Sequence, residues 1–120
     1  MTTGTVLVVD DDPSIIDFIH DALTEEGYTV EAAVGAGALP MAATLQPDVI
    51  LLDIMMPGMD GVEVSKHLRA DPITAHIPIV VMSAQDRLNA AGSMLVNGRL
   101  PKPFDLSSLF DTVARWAVAP

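Results

Sequence analysis

The residues able to do chemistry fall at the ends of short apolar runs. Asp10, Asp11 and Asp12 follow Val6–Val9, Asp53 follows Val49–Leu52, Ser83 follows Ile77–Met82, and Lys102 lies just beyond Leu100. Carboxylates that share a site raise each other's pKa unless a cation joins them. The chain has no Cys. Its histidines, His20, His67 and His76, do not converge in sequence and read as surface residues. The available ligand atoms are therefore hard oxygens, which favour Mg²⁺. That ion takes one or two carboxylates and completes its shell with water and a phosphate oxygen. A magnesium ion beside a fixed lysine is a place to stabilise a phosphoryl group in transfer. The nucleophile in such a site would be a carboxylate, giving an aspartyl phosphate.

For these residues to meet, the runs must be strands of one parallel sheet. Val6–Val9 and Val49–Leu52 have no polar face, as expected of strands buried on both sides. Asp12-Pro13 is a helix start, an acceptor followed by a residue pre-set for the first turn. Ile15, Ile16, Ile19, Ala22 and Leu23 then recur at helical spacing until Gly27. The pattern further predicts a strand at Thr29–Ala33 and a helix at Ala36–Leu45 with Pro40 in its first turn. A third helix runs from Asp60-Gly61 to about Arg69. The fourth strand is Ile77–Met82, and a short fifth around Leu100 is closed by Pro101-Lys102-Pro103. Asp105 caps a last helix with a face of Leu106, Leu109, Phe110, Val113 and Ala117. Strands alternating with helices give an α/β fold with a parallel sheet covered on both faces. In such a sheet, ligands bind beyond the carboxyl ends of the strands, at the switch in strand order.

Composition narrows the function classes. One domain spanning 1–120 is expected from 120 residues. Half the residues are hydrophobic but only 4% are aromatic, so the core is aliphatic. Sixteen acids against six Lys and Arg give a formal charge of −10, which repels phosphate backbones and argues against direct nucleic-acid binding. The apolar runs are too short to span a bilayer. With no signal peptide read at the start and no Cys, the expected location is cytoplasmic.

Four segments, taken in order, resemble the successive motifs of the receiver domain of two-component response regulators. They are Val6–Pro13 (VLVVDDDP), Leu52–Gly61 (LDIMMPGMDG), Ser83-Ala84 and Lys102-Pro103-Phe104. The resemblance implies a flavodoxin-like doubly wound sheet of five parallel strands in the order 2-1-3-4-5. It implies that Asp53 is the phosphoacceptor and that Asp11 ligates Mg²⁺ directly. Asp10 would act on the metal largely through water, and Met55 would offer its backbone carbonyl. Ser83 would bond a phosphoryl oxygen and move on activation, Lys102 would pair with the phosphoryl group, and Lys102-Pro103 would be cis. The implied partners are a sensor histidine kinase or phosphotransfer protein, with a possible output domain or homodimer, and the domain is a switch more than an enzyme.

Two features depart from the family pattern. Receivers usually carry Tyr or Phe three places before the lysine, a switch position that turns inward on activation; here it is Arg99. The spacing between Ser83 and Lys102 is also shorter than the family's, and Leu95-Val96 replaces a Gly-Ala pair. A shortened, shifted or poorly ordered segment is therefore expected between Gln85 and Gly98, where the family has its fourth helix. The alternative function is a degenerate receiver that binds proteins without phosphorylation. A Mg²⁺-dependent phosphohydrolase is disfavoured, because such enzymes need a second acid two places after the nucleophile and Met55 stands there.

Overall fold

The computed structural model describes residues 4–54, 61–84 and 96–117. Five strands, β1 (Thr5–Val9), β2 (Thr29–Ala33), β3 (Val49–Asp53), β4 (Ile79–Ala84) and β5 (Gly98–Lys102), form one sheet in the order β2-β1-β3-β4-β5. Every pairing is parallel. The described helices are α1 (Pro13–Glu25), α2 (Ala38–Leu45), α3 (Gly61–Ala70) and α4 (Leu106–Ala114), with a 3-10 turn at Gly35–Gly37.

Side-chain alternation along the strands builds two cores. Val6, Val8, Val49, Leu51, Val80, Met82 and Leu100 pack with Ile19 and Leu23 of α1 and Leu109 and Val113 of α4. Leu7, Val9, Ile50, Leu52 and Ile79 pack on the other face with Ala38 and Ala42 of α2 and Val64 and Leu68 of α3. β3 is buried at all five positions, so its terminal acid is held by a strand with no freedom to shift.

The α1 start follows its sequence signal. Asp12 is extended and its side chain accepts from the Ser14 amide at 2.9 Å, with Pro13 opening the helix. Gly27, at φ 97°, turns the chain into β2. The amino edge of the sheet is closed by side chains. The Thr5 amide donates to Asp48 Oδ2 at 2.8 Å. Arg69 Nη1 donates to the Ala75 and Ile77 carbonyls at 2.9 and 2.8 Å, and its Nη2 to Asn97 Oδ1 at 2.7 Å. Asn97 Oδ1 also accepts from the Ile79 amide at 2.9 Å.

Several sequence boundaries move. Ile77 is buried, but β4 starts at Ile79; Pro78 precedes it and its carbonyl accepts from the Ile50 amide. The strand therefore extends through Ser83 to Ala84. The predicted second helix splits into the 3-10 turn and α2, with Pro40 third in α2. β5 includes Pro101 and Lys102 instead of stopping before them. Leu106 does not belong to the buried face of α4, because it is 45% exposed. The three histidines are exposed, as expected. The expected irregularity between Gln85 and Gly98 lies, up to Leu95, outside the described residues.

Candidate functional site

Adjacent β1 and β3 end level, Val9 beside Leu52, so Asp10 and Asp53 emerge together at the carboxyl edge. Asp10 is fully buried. Its Oδ1 accepts from the Asp12 amide at 2.9 Å and its Oδ2 from Lys102 Nζ at 2.8 Å. Both oxygens of a desolvated carboxylate are thus held by donors, as burial of a charge requires. Lys102 Nζ also lies 3.6 Å from Asp53 Oδ1. Asp53 is 5% exposed, whereas Asp11 faces solvent.

One carboxylate oxygen from each of Asp10, Asp11 and Asp53 lies within 4.8 Å of the other two. Among the described residues, the three carboxylates gather around the Lys102 ammonium, which pairs with Asp10 and lies near Asp53. The donor set is all oxygen, and its charge and spacing fit a hard divalent cation. Lys102 is delivered by β5, whose register pairs Ala84 with Lys102 and Ser83 with Pro101. A cis Lys102-Pro103 bond follows, as the resemblance implied. Ser83 is 3% exposed and sits one residue past Met82, the β4 partner of Asp53.

The structure thus brings together Asp10, Asp11, Asp53 and Lys102, and sets Ser83 one step away on the neighbouring strand. Arg99 pairs with Val81 on β5 and is exposed. Met55 lies outside the described residues. Sequence reasoning missed the part played by Gly61. Its amide donates to the Ile54 carbonyl at 2.7 Å, and a Cβ there would run into the Asp53 carbonyl oxygen and the Ile54 Cα. The absent side chain lets α3 start against the backbone of Asp53. The only sequence signal was the Asp-Gly pair at the helix start.

A family model described as response regulator receiver domain matches residues 6–114. The chain belongs to the response regulator receiver domain family. Response regulator PleD of Caulobacter vibrioides is 45% identical over 115 residues, covering 92% of this chain and 25% of PleD. The chain therefore spans about a quarter of that relative. The chemotaxis protein CheY4 of Vibrio cholerae is 32% identical with a TM-score of 0.87, covering 95% of this chain and 98% of CheY4. The receiver domain of the sensor histidine kinase PA1611 of Pseudomonas aeruginosa is 27% identical with a TM-score of 0.86. That match covers 96% of this chain and 98% of the PA1611 domain, whose structure has a magnesium ion coordinated in its active site cleft. Receiver domains are signalling domains that bind Mg²⁺ at an acidic pocket, and the receivers of response regulators pair with histidine kinases. Among the described residues, no helix is long and apolar enough to cross a membrane.

Proposed function

We propose that this receiver accepts a phosphoryl group on Asp53 from the phosphohistidine of a sensor histidine kinase or phosphotransfer protein. The observation that carries the reading is the convergence of three acids from the ends of two adjacent strands, with Lys102 against two of them. An Asp53 carboxylate oxygen attacks phosphorus in line. The new O–P bond forms as the P–N bond breaks, and the imidazole leaves with the electron pair and takes up a proton. Lys102 meets the charge on the phosphoryl oxygens, and the Ser83 hydroxyl donates to one of them. Asp10, Asp11 and Asp53, with the Met55 carbonyl, would hold Mg²⁺, which supplies further neutralisation of those oxygens. Water later cleaves the acyl phosphate and restores the carboxylate. Phosphorylation then shifts a pre-existing equilibrium between surfaces read by an output domain or by a second copy of the chain. We take residues 1–120 as a single domain acting in the cytoplasm, a switch and not a turnover enzyme.

The second reading is a phosphorylation-independent binding module, favoured by the exposed Arg99 where the family usually has an aromatic residue. Intact mass after incubation with phosphoramidate and Mg²⁺ separates the two. The first reading expects a gain of one phosphoryl group that Asp53→Asn abolishes. An unchanged mass supports the second.

A further inference from the structure

We propose that Asn97 is a site of spontaneous deamidation and that Arg69 governs its rate. The chemistry starts from the sequence. Asn97 precedes Gly98, and glycine, with no Cβ and a permissive backbone, leaves its nitrogen unhindered for attack on the preceding side chain. In that reaction the Gly98 nitrogen bonds to Asn97 Cγ, the Cγ–Nδ2 bond breaks, and Nδ2 leaves as ammonia with the Gly98 proton. Water then opens the cyclic imide at either carbonyl carbon, giving aspartate or isoaspartate. Asn97 is exposed, so water reaches it. Neither packing nor backbone conformation calls for glycine at 98. Among the described residues a Cβ there would meet Val80 Cγ2 alone, at an ordinary 3.6 Å, and the φ of Gly98 is not left-handed.

The fold opposes the first step. The Asn97 amide donates to the Ile79 carbonyl at 2.8 Å, while Asn97 Oδ1 accepts from the Ile79 amide at 2.9 Å. This two-point clasp sets the carboxamide beside the residue's own N–H. Closing the ring onto Gly98, on the other side, has to undo it. Arg69 Nη2 adds a third hold, donating to the same oxygen at 2.7 Å. It is charge-assisted, and so the stronger of the two bonds to Oδ1. The guanidinium is itself anchored, since Nη1 donates to the Ala75 and Ile77 carbonyls. Arg69 is therefore a positioning residue that keeps an exposed, reactive dipeptide in an unreactive pose. Conversion would alter this same junction. Aspartate puts a carboxylate against the guanidinium. Isoaspartate adds a methylene to the main chain where it enters β5, the strand that ends in Lys102.

The test ages the folded protein at mildly alkaline pH and follows aspartate and isoaspartate at position 97 by peptide mapping with fragment-ion localisation. Parent, Arg69→Met, Gly98→Ala and Val113→Ala are compared. Val113 is buried in the core against α4, so its truncation lowers stability without touching the junction. Losing the charge-assisted bond should speed conversion about tenfold in Arg69→Met. Val113→Ala should stay near the parent rate. Gly98→Ala should fold as the parent does and convert at least about tenfold more slowly, because a Cβ hinders ring closure. No conversion at 97 in either the parent or Arg69→Met overturns the site. An Arg69→Met rate equal to or below the parent's overturns the role of Arg69. So does an equal acceleration in Val113→Ala, which global unfolding would cause. A parental rate in Gly98→Ala overturns the cyclic route.

Discussion

At the amino edge of the sheet, Arg69 gives its donors to the Ala75 and Ile77 carbonyls and to Asn97; at the carboxyl edge, Asp10 and Asp53 share Lys102 while Asp11 faces solvent. One edge matches donors to acceptors within the chain. The other gathers like charges within 4.8 Å, with the Lys102 ammonium against two of them among the described residues. Burial of Arg69 pulls its pKa below the usual guanidinium value, yet the group stays charged at any ordinary pH, so its hydrogen bonds do not titrate away. The difference separates stability from function on the same five strands. Substitutions at the amino edge should cost folding free energy and leave the chemistry alone, whereas substitutions among the acids should do the reverse.

The largest departure from symmetry is expected at Asp11. Asp11→Asn should weaken Mg²⁺ binding by on the order of a hundredfold, about 2.7 kcal/mol. Its Mg²⁺-free unfolding free energy should hold or rise slightly, since one of three repelling charges is gone. Calorimetric titration with Mg²⁺ checks the first part and urea unfolding the second. In the parent, Mg²⁺ should raise Tm because it binds only the folded state, and the variant should lose most of that rise.

Arg69→Met is the mirror case. It strips hydrogen bonds from two backbone carbonyls and from Asn97, and should destabilise by about 2–3 kcal/mol. The phosphorylation rate per folded molecule, measured well below Tm, should stay within about twofold if the two edges are energetically separate. A large fall in that rate would show the edges to be coupled.

Gly61→Ala tests the point where the separation should fail, because the same backbone contact packs α3 and seats Asp53. Forcing a methyl group against the Asp53 carbonyl and Ile54 should cost about 1–3 kcal/mol and slow phosphorylation as well. Urea unfolding and phosphoramidate kinetics on one preparation would show both losses.

The smallest effect is a pH dependence at the start of α4. The carboxylate of Asp105 caps α4 by accepting from the Ser108 amide at 2.8 Å, and that bond holds its pKa below the ordinary Asp value. A lowered folded-state pKa means stability that is present above the unfolded value of about 3.9 and is lost as pH falls through the folded value. Asn caps helices well but does not titrate. Any advantage of the parent over Asp105→Asn at pH 7 should therefore shrink on acidification into that window, as read by unfolding at both pH values.

The carboxyl edge was more legible in the sequence than the amino edge. Asp10, Asp11, Asp53 and Lys102 could be placed because each ends an apolar run, and a parallel sheet aligns such ends. The acidic cap at Asp12 was likewise readable from local chemistry, whereas the cis bond at Pro103 came from the family resemblance. The Arg69–Asn97 link was not, since a half-buried arginine at a helix end looks like any surface cation until the loop that it spans is folded. Ile77 misled because burial, and not strand pairing, makes it apolar. Leu106 misled because helical spacing predicts a face but not where the neighbouring helix stops covering it. The packing of Gly61 against Asp53 needed coordinates, since no pattern in the sequence shows how closely a helix start approaches a strand end.

The most direct test of the account asks which oxygen carries the phosphoryl group. After phosphorylation in Mg²⁺, borohydride reduction converts an acyl phosphate on aspartate to homoserine, and peptide mass mapping locates it. Homoserine is expected at position 53, and its loss when Mg²⁺ is chelated before the donor is added. Homoserine at 10, 11 or any other acid, or a signal indifferent to Mg²⁺, would contradict it.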